Sequence, residues 1–344
     1  MDIGAILRDE HHEEIDLPQH YDCFCHKLNL VGKACTVEAQ NDRGFQIYFG
    51  KLKKIVKAQN YSAQKAEIIR EECGGNLFKL PILTRWNSEY YCIQDCLSKL
   101  EKSPNGLSTL MTKLKIPTFK PEEFVIAKEY EAIMKPVVKA LNIFQSEGVE
   151  GIGLCLPTII GIKLRLRELE ANTFVLTDVL QFVQYEIEHR FNDYFTKDIY
   201  ILAAISVPQF KTQWLVNQID KDHAISLLKN AVTEMRVNTT AASVRNQDEP
   251  VNASPNLLDF GSENVEMDEV DEYLASKVKT LEAFKRGEFP MVAKVFLRYN
   301  TSEAANVRSE RLFSRGKLMF GTLRTSLNDS NFEKLVFLNC NKNM

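Results

Sequence analysis

Three groups of residues have the types and spacing to do chemistry. Glu310 lies in "RSERLFSRGK" (residues 308–317), where helical projection sets it beside Asn306, Phe313 and Ser314, at the margin of a stripe made by Ala305, Ser309, Leu312 and Gly316. A carboxylate there is either a solvated surface charge or a ligand for a divalent cation, and with Ser at position 314 it lacks the usual i,i+4 cation. Cys23 and His26, in "CFCH" with His20 three residues upstream, offer soft ligands. A structural zinc site needs four, and Cys73, Cys92 and Cys96 bring no histidine at matching spacing. The expectation is therefore no metal site, with thiol and imidazole satisfied locally at a helix start. Arg85 and Trp86, in "TRWNSEYY", set a cation and an aromatic at the start of an amphipathic helix. The indole either packs against neighbouring helices or offers a ring face to an unpaired base while the cation meets phosphate.

No Walker-type Gly-Lys-Ser loop, GxSxG elbow, HExxH pair or GxGxxG turn is present, so the common nucleotide and hydrolase chemistries, and a small-molecule substrate, are not expected.

The elements that must position these groups are helical. The 344 residues, 44% hydrophobic and 26% charged, suit a globular protein with one large core or two smaller ones. No apolar run reaches the 18 or so residues a membrane span needs, and "MDIGAILRDEHHEE" turns acidic where a signal peptide would be basic and then apolar, so neither a membrane partner nor export is expected. The eight scattered cysteines then read as reduced thiols of the cytosol or nucleus. Net charge is −3, so any nucleic-acid contact must come from local basic patches.

From 121 to 144 the positions Phe124, Ala127, Tyr130, Met134, Val137, Val138, Leu141 and Phe144 form the stripe of a core-facing helix, which Pro136 should kink or split. Similar patterns run over 45–56, 85–100, 154–169, 179–195 and 225–235. The strand-like runs are "FKLPIL" (78–83) and "IYILAAISV" (199–207), the second as easily a buried helix. Residues 236–272 are rich in Asn, Ser, Thr and acids and read as a disordered acidic linker. Beyond it, Ser330 followed by Glu333 has the spacing of a capping box, predicting a helix from about Asn331. That helix, with Phe332, Leu335, Val336, Phe337 and Leu338, is apolar nearly all round, as expected when both sides are covered.

Together these stretches resemble the C-terminal two-thirds of a hAT-superfamily transposase. The likeness rests on "CFCHKLNLV" (23–31), similar to the family's Cys-x-x-His followed by Leu-Asn-Leu-Val; on "TRWNS", similar to its Arg-Trp motif; and on "YNTSEAANVRSERLFSRGKLMFGTLRTSLNDSNFEKLVFLN" (299–339), similar to its C-terminal dimerisation block. The intervening "MKPVVKALNIFQSE", "LPTIIGIKLRLREL", "ILAAISVPQFKTQWL" and "VAKVFLRYN" follow in the same order, so the likeness covers nearly the whole chain.

The resemblance implies a mainly α fold with a small α/β remnant, an incomplete RNase H-like core around a large all-helical insertion domain. Residues 1–34 would be the remnant edge of the core, 35–235 the insertion, 236–272 the linker, and 273–344 the dimerisation region completing the core. It gives Glu310 the role of the family's metal-binding glutamate, Arg85 and Trp86 a grip on DNA, Cys23 and His26 a structural role, and Phe332, Leu335, Val336, Phe337 and Leu338 a dimer contact. The second aspartate would fall near Asp2, whose surroundings match poorly, and the first aspartate and the zinc-finger region have no counterpart in this sequence. Two-metal chemistry needs several carboxylates. The expectation is thus a transposase-derived, catalytically inactive nuclear protein without a cofactor, acting as a homodimer and on DNA. Its alternatives are a fragment of an active transposase, which would use Mg2+ or Mn2+, and a protein-binding scaffold without DNA contact.

Overall fold

The computed structural model describes residues 22–81, 86–146, 151–244, 268–301, 304 and 328–340. They are mainly α-helical, and no strand occurs among the described residues. The first half comprises α1 (Phe24–Ala39), α2 (Arg43–Tyr61), α3 (Ala63–Glu72), α4 (Trp86–Lys102), α5 (Pro104–Lys113) and α6 (Pro121–Gln145). The second comprises α7 (Cys155–Leu169), α8 (Thr177–Phe195), α9 (Asp198–Ile205), α10 (Gln218–Val244), α11 (Glu269–Ala275), α12 (Glu282–Lys285) and α13 (Pro290–Asn300), and α14 (Asp329–Cys340) follows.

α6 is the central post, with α1, α2, α4, α7 and α8 packed around it. Its start is set by Pro121 at the first helical position and by Glu123, whose carboxylate accepts the Lys120 N–H at 3.1 Å and meets the Lys51 ammonium at 2.7 Å. The helix continues across Pro136 without splitting. A proline inside a helix costs about 3 kcal/mol. The fully buried Met134, Val137 and Val138 beside it each return roughly 1.5 to 3 kcal/mol, so burial wins.

The "IYILAAISV" run is α9, a helix buried along Tyr200, Ile201, Leu202, Ala203, Ala204 and Ile205, against which α7, α8, α10 and α13 pack. "FKLPIL" forms no ladder over its described part. The side chain of Gln59 stands in for a neighbouring strand, accepting the Phe78 N–H at 2.9 Å and donating to the Phe78 carbonyl at 2.8 Å.

The stretch expected to be an acidic linker is helical at both described ends: α10 runs to Val244, and α11 begins at Glu269 with Val270 and Tyr273 wholly buried. Residues 245–267 lie outside the described residues. The boundaries expected at 34 and 273 fall within α1 and α11. α14 starts earlier than the Ser330 capping box predicts. Asn328 is its cap, accepting the Asn331 N–H at 2.9 Å, because Asn serves this position as well as Ser does.

Tyr48 of α2 is wholly enclosed, and its hydroxyl, facing the Cys96 thiol, has no hydrogen-bond partner of ordinary geometry. Tyr48→Phe removes an unpaired polar atom and is expected to leave stability unchanged or raise it by about 1 kcal/mol in a thermal melt. A loss of that size would show that the hydroxyl is paired with the thiol.

Candidate functional site

α1 carries Cys23 and His26 and is met by Trp86 and by Ala304. Its cap residue, Cys23, makes no side-chain capping bond, and the first free N–H, that of Phe24, donates instead to the Ala304 carbonyl at 2.9 Å. This bond ties the chain leaving α13 to the start of α1, six residues before Glu310 in sequence. The Phe24 ring fixes the joint from beneath, with Phe144 at 4.4 Å and Phe191 at 5.0 Å between centroids. Lys27 seals the rim, paired with Asp22 at 3.0 Å and Asp193 at 3.3 Å over the Tyr194 ring.

Cys23 is half-buried and His26 exposed. Burial pushes the Cys155 thiol on α7 well above its ordinary range, and the neighbouring Cys25 and Cys23 act in the same direction. Such a thiol is a neutral packing group rather than a nucleophile or metal ligand. No group of three or more His, Cys, Asp or Glu that could hold a metal ion occurs among the described residues.

Trp86 opens α4 and lies across α1. Its indole N–H donates to Asn29 at 3.0 Å, and a Cβ on Gly32 would stand 2.2 Å from the ring. Gly32 therefore permits the ring to approach the backbone of α1. The half-buried indole has its N–H edge occupied, which leaves less of it for a ligand than an exposed stacking platform would offer. Trp86 of "TRWNS" is thus packed against the helix that carries "CFCHKLNLV". One turn on, burial raises the Glu89 carboxyl above its usual range, opposed by nearby Lys53 and by a 3.3 Å bond from Gln40.

Asp2, Arg85 and Glu310 lie outside the described residues. On α14, Phe332, Leu335 and Val336 are half-buried, while Phe337 and Leu338 are 66% and 63% exposed, so the described residues do not cover the helix on both sides.

Sequence reasoning missed the polar residues that hold this arrangement. Asn300, buried at the end of α13, accepts the Gly153 N–H at 3.0 Å and donates to the Ala203 carbonyl at 3.1 Å and the Ser206 hydroxyl at 3.3 Å. It pins α13 to α9 and to the turn before α7. Glu129 of α6 accepts the N–H groups of Phe174, Val175 and Leu176 at 2.9, 3.0 and 2.8 Å, holding the start of α8. Lys211, buried with a left-handed backbone, donates to the carbonyl and hydroxyl of Ser276 at the end of α11, and burial, then nearby Lys279, lowers its pKa. The short "YNTS" and "FKTQWL" contexts carried no signal for these partners, which stand 65 or more residues away for Lys211 and 94 or more for Asn300.

No protein-family model matches the chain, and no curated protein matches it. No helix among the described residues is long and apolar enough to cross a membrane.

Proposed function

We propose that the chain is a transposase-derived protein of the hAT type, with an RNase H-like remnant around a helical insertion, that no longer cuts DNA and acts in the nucleus as a homodimer that binds DNA. The observation that carries this reading is the convergence on α1 of three segments that resemble the family, through the Asn29–Trp86 bond, the Gly32 contact and the Phe24–Ala304 bond. Segments 57 and about 280 positions apart that share a family order and also pack together are what a common functional core requires.

The carboxylates within this sequence support a non-cutting role. Only Glu310 matches the family's carboxylates well, Asp2 matches poorly, and one carboxylate cannot fix and neutralise two divalent ions. Self-association is supported by the apolar surface that α14 leaves outward at Phe337 and Leu338.

Sedimentation of the wild-type chain from about 1 to 50 μM, the range in which a weak homodimer dissociates, tests the association. A dimer that Phe337→Glu converts to a folded monomer is expected. A wild-type monomer across that range would overturn it.

A further inference from the structure

α2 carries Arg43, Lys51, Lys53, Lys54 and Lys57 and no acidic residue, in a chain whose net charge is −3. Lys51 is drawn inward to Glu123. Arg43, Lys53, Lys54 and Lys57 are exposed and form no ion pair among the described residues.

At 100° per residue, Arg43, Gly50, Lys54, Lys57 and Tyr61 fall on one outward stripe, with Lys53 at its margin. Tyr61 is 81% exposed, and the Lys57 ammonium stands 5.8 Å from its ring. A Cβ on Gly50 would meet nothing within 4 Å, so internal packing does not demand a glycine there, and its bare backbone leaves a low point where a rigid surface can come close. From Arg43 to Lys57 the stripe rises about 21 Å, a length of about six base pairs of duplex. Its margin adjoins the first turn of α4, where Lys53 neighbours Glu89, three residues beyond Trp86.

We propose that the outward face of α2, with Arg43, Lys53, Lys54 and Lys57 and with Tyr61 at its end, is a docking surface for the phosphate backbone of DNA. This rests on the DNA-binding part of the proposed function and adds the face that performs it. Unpaired cations in a row complement a row of phosphates, and binding of this kind releases counterions and carries no sequence information. An anionic bilayer fits less well, because Phe45, Tyr48, Phe49, Leu52, Ile55 and Val56 are committed to the core, leaving Ile47 (46% exposed) and Tyr61 as the large apolar groups on the outward side, less than the continuous apolar face that inserts into a bilayer.

The test is fluorescence anisotropy with a labelled duplex bearing a flayed end, titrated with the full chain at several salt concentrations. Three proteins are compared: wild type; Arg43→Gln/Lys54→Gln/Lys57→Gln; and Lys128→Gln/Lys139→Gln/Lys277→Gln, which makes the same change in net charge at exposed positions elsewhere. Phosphatidylserine vesicles serve as the competing anionic surface.

The α2 variant is expected to bind at least tenfold more weakly at low salt. Its slope of log K against log salt should be shallower by roughly 2 to 3, because each phosphate left without its cation takes away about 0.9. The control variant should stay within about twofold of wild type, since its cations make no phosphate contact. If both variants bind like wild type, DNA binding stands and the face is elsewhere. If wild type binds vesicles and not the duplex, the surface belongs to a membrane and the proposal falls. If wild type binds neither, the DNA-binding reading itself fails and takes this surface with it.

Discussion

Asn300→Ala should destabilise the chain by about 3 to 5 kcal/mol, the loss expected when a buried side chain that satisfies several backbone groups is removed. The side chain is 8% exposed and serves both a donor and an acceptor: the Gly153 N–H at 3.0 Å and the Ala203 carbonyl at 3.1 Å. A whole domain has only about 5 to 15 kcal/mol to lose. Urea denaturation followed by circular dichroism measures the change, and a loss below about 1 kcal/mol would mean that the clamp is not what seats α13. The effect should reach the function as well. Asn300 precedes by four residues the Ala304 carbonyl that joins α1, so loosening it should weaken that join.

Glu129→Ala is expected to cost a comparable loss of about 3 to 5 kcal/mol. Three consecutive N–H groups at the start of α8 converge on one buried carboxylate, and bonds to a charged acceptor at the positive end of a helix dipole are the stronger kind. Alanine would leave all three donors buried or forced toward solvent. Glu129→Gln keeps one oxygen acceptor and should lose about half as much. Equal losses for the two variants would show that charge is the whole effect, and a negligible loss for alanine would show that the donors find other partners. Because α8 packs along α1, its loosening should also slow or weaken any activity that depends on the joined motifs.

What could be read from the sequence was whatever repeats with the helical period. The α6 stripe is buried as its spacing predicts, Phe124 alone among its named positions staying half-covered. The α9 run was ambiguous because an apolar segment of eight residues carries no period that separates helix from strand. "FKLPIL" looked like a strand since its letters report apolarity, whereas the partner that makes an extended segment unnecessary to pair is a single side chain, Gln59, 19 residues away.

The polar clamps were invisible for a related reason. Asn300, Glu129 and Lys211 are types that normally face water, and only their distant partners explain their burial. Trp86 lay between these cases. Its packing alternative was visible, and Gly32, in the middle of an otherwise well-formed helix, was the available hint of a close neighbour. The basic stripe of α2 was legible in principle from cations at helical spacing with no acidic residue on the same helix, yet only the inward turn of Lys51 and the outward set of the others separate it from an ordinary solvated face.

The protein is proposed to hold DNA without cutting it. The most direct measurement is a native gel of an end-labelled flayed duplex incubated with the purified chain at low salt in the presence of Mn2+. The expected result is retention of intact DNA, weakening as salt is raised. Shortened DNA products that disappear with Glu310→Gln would contradict it in favour of an active transposase, and the absence of any retained band would contradict it in favour of a scaffold that does not touch DNA.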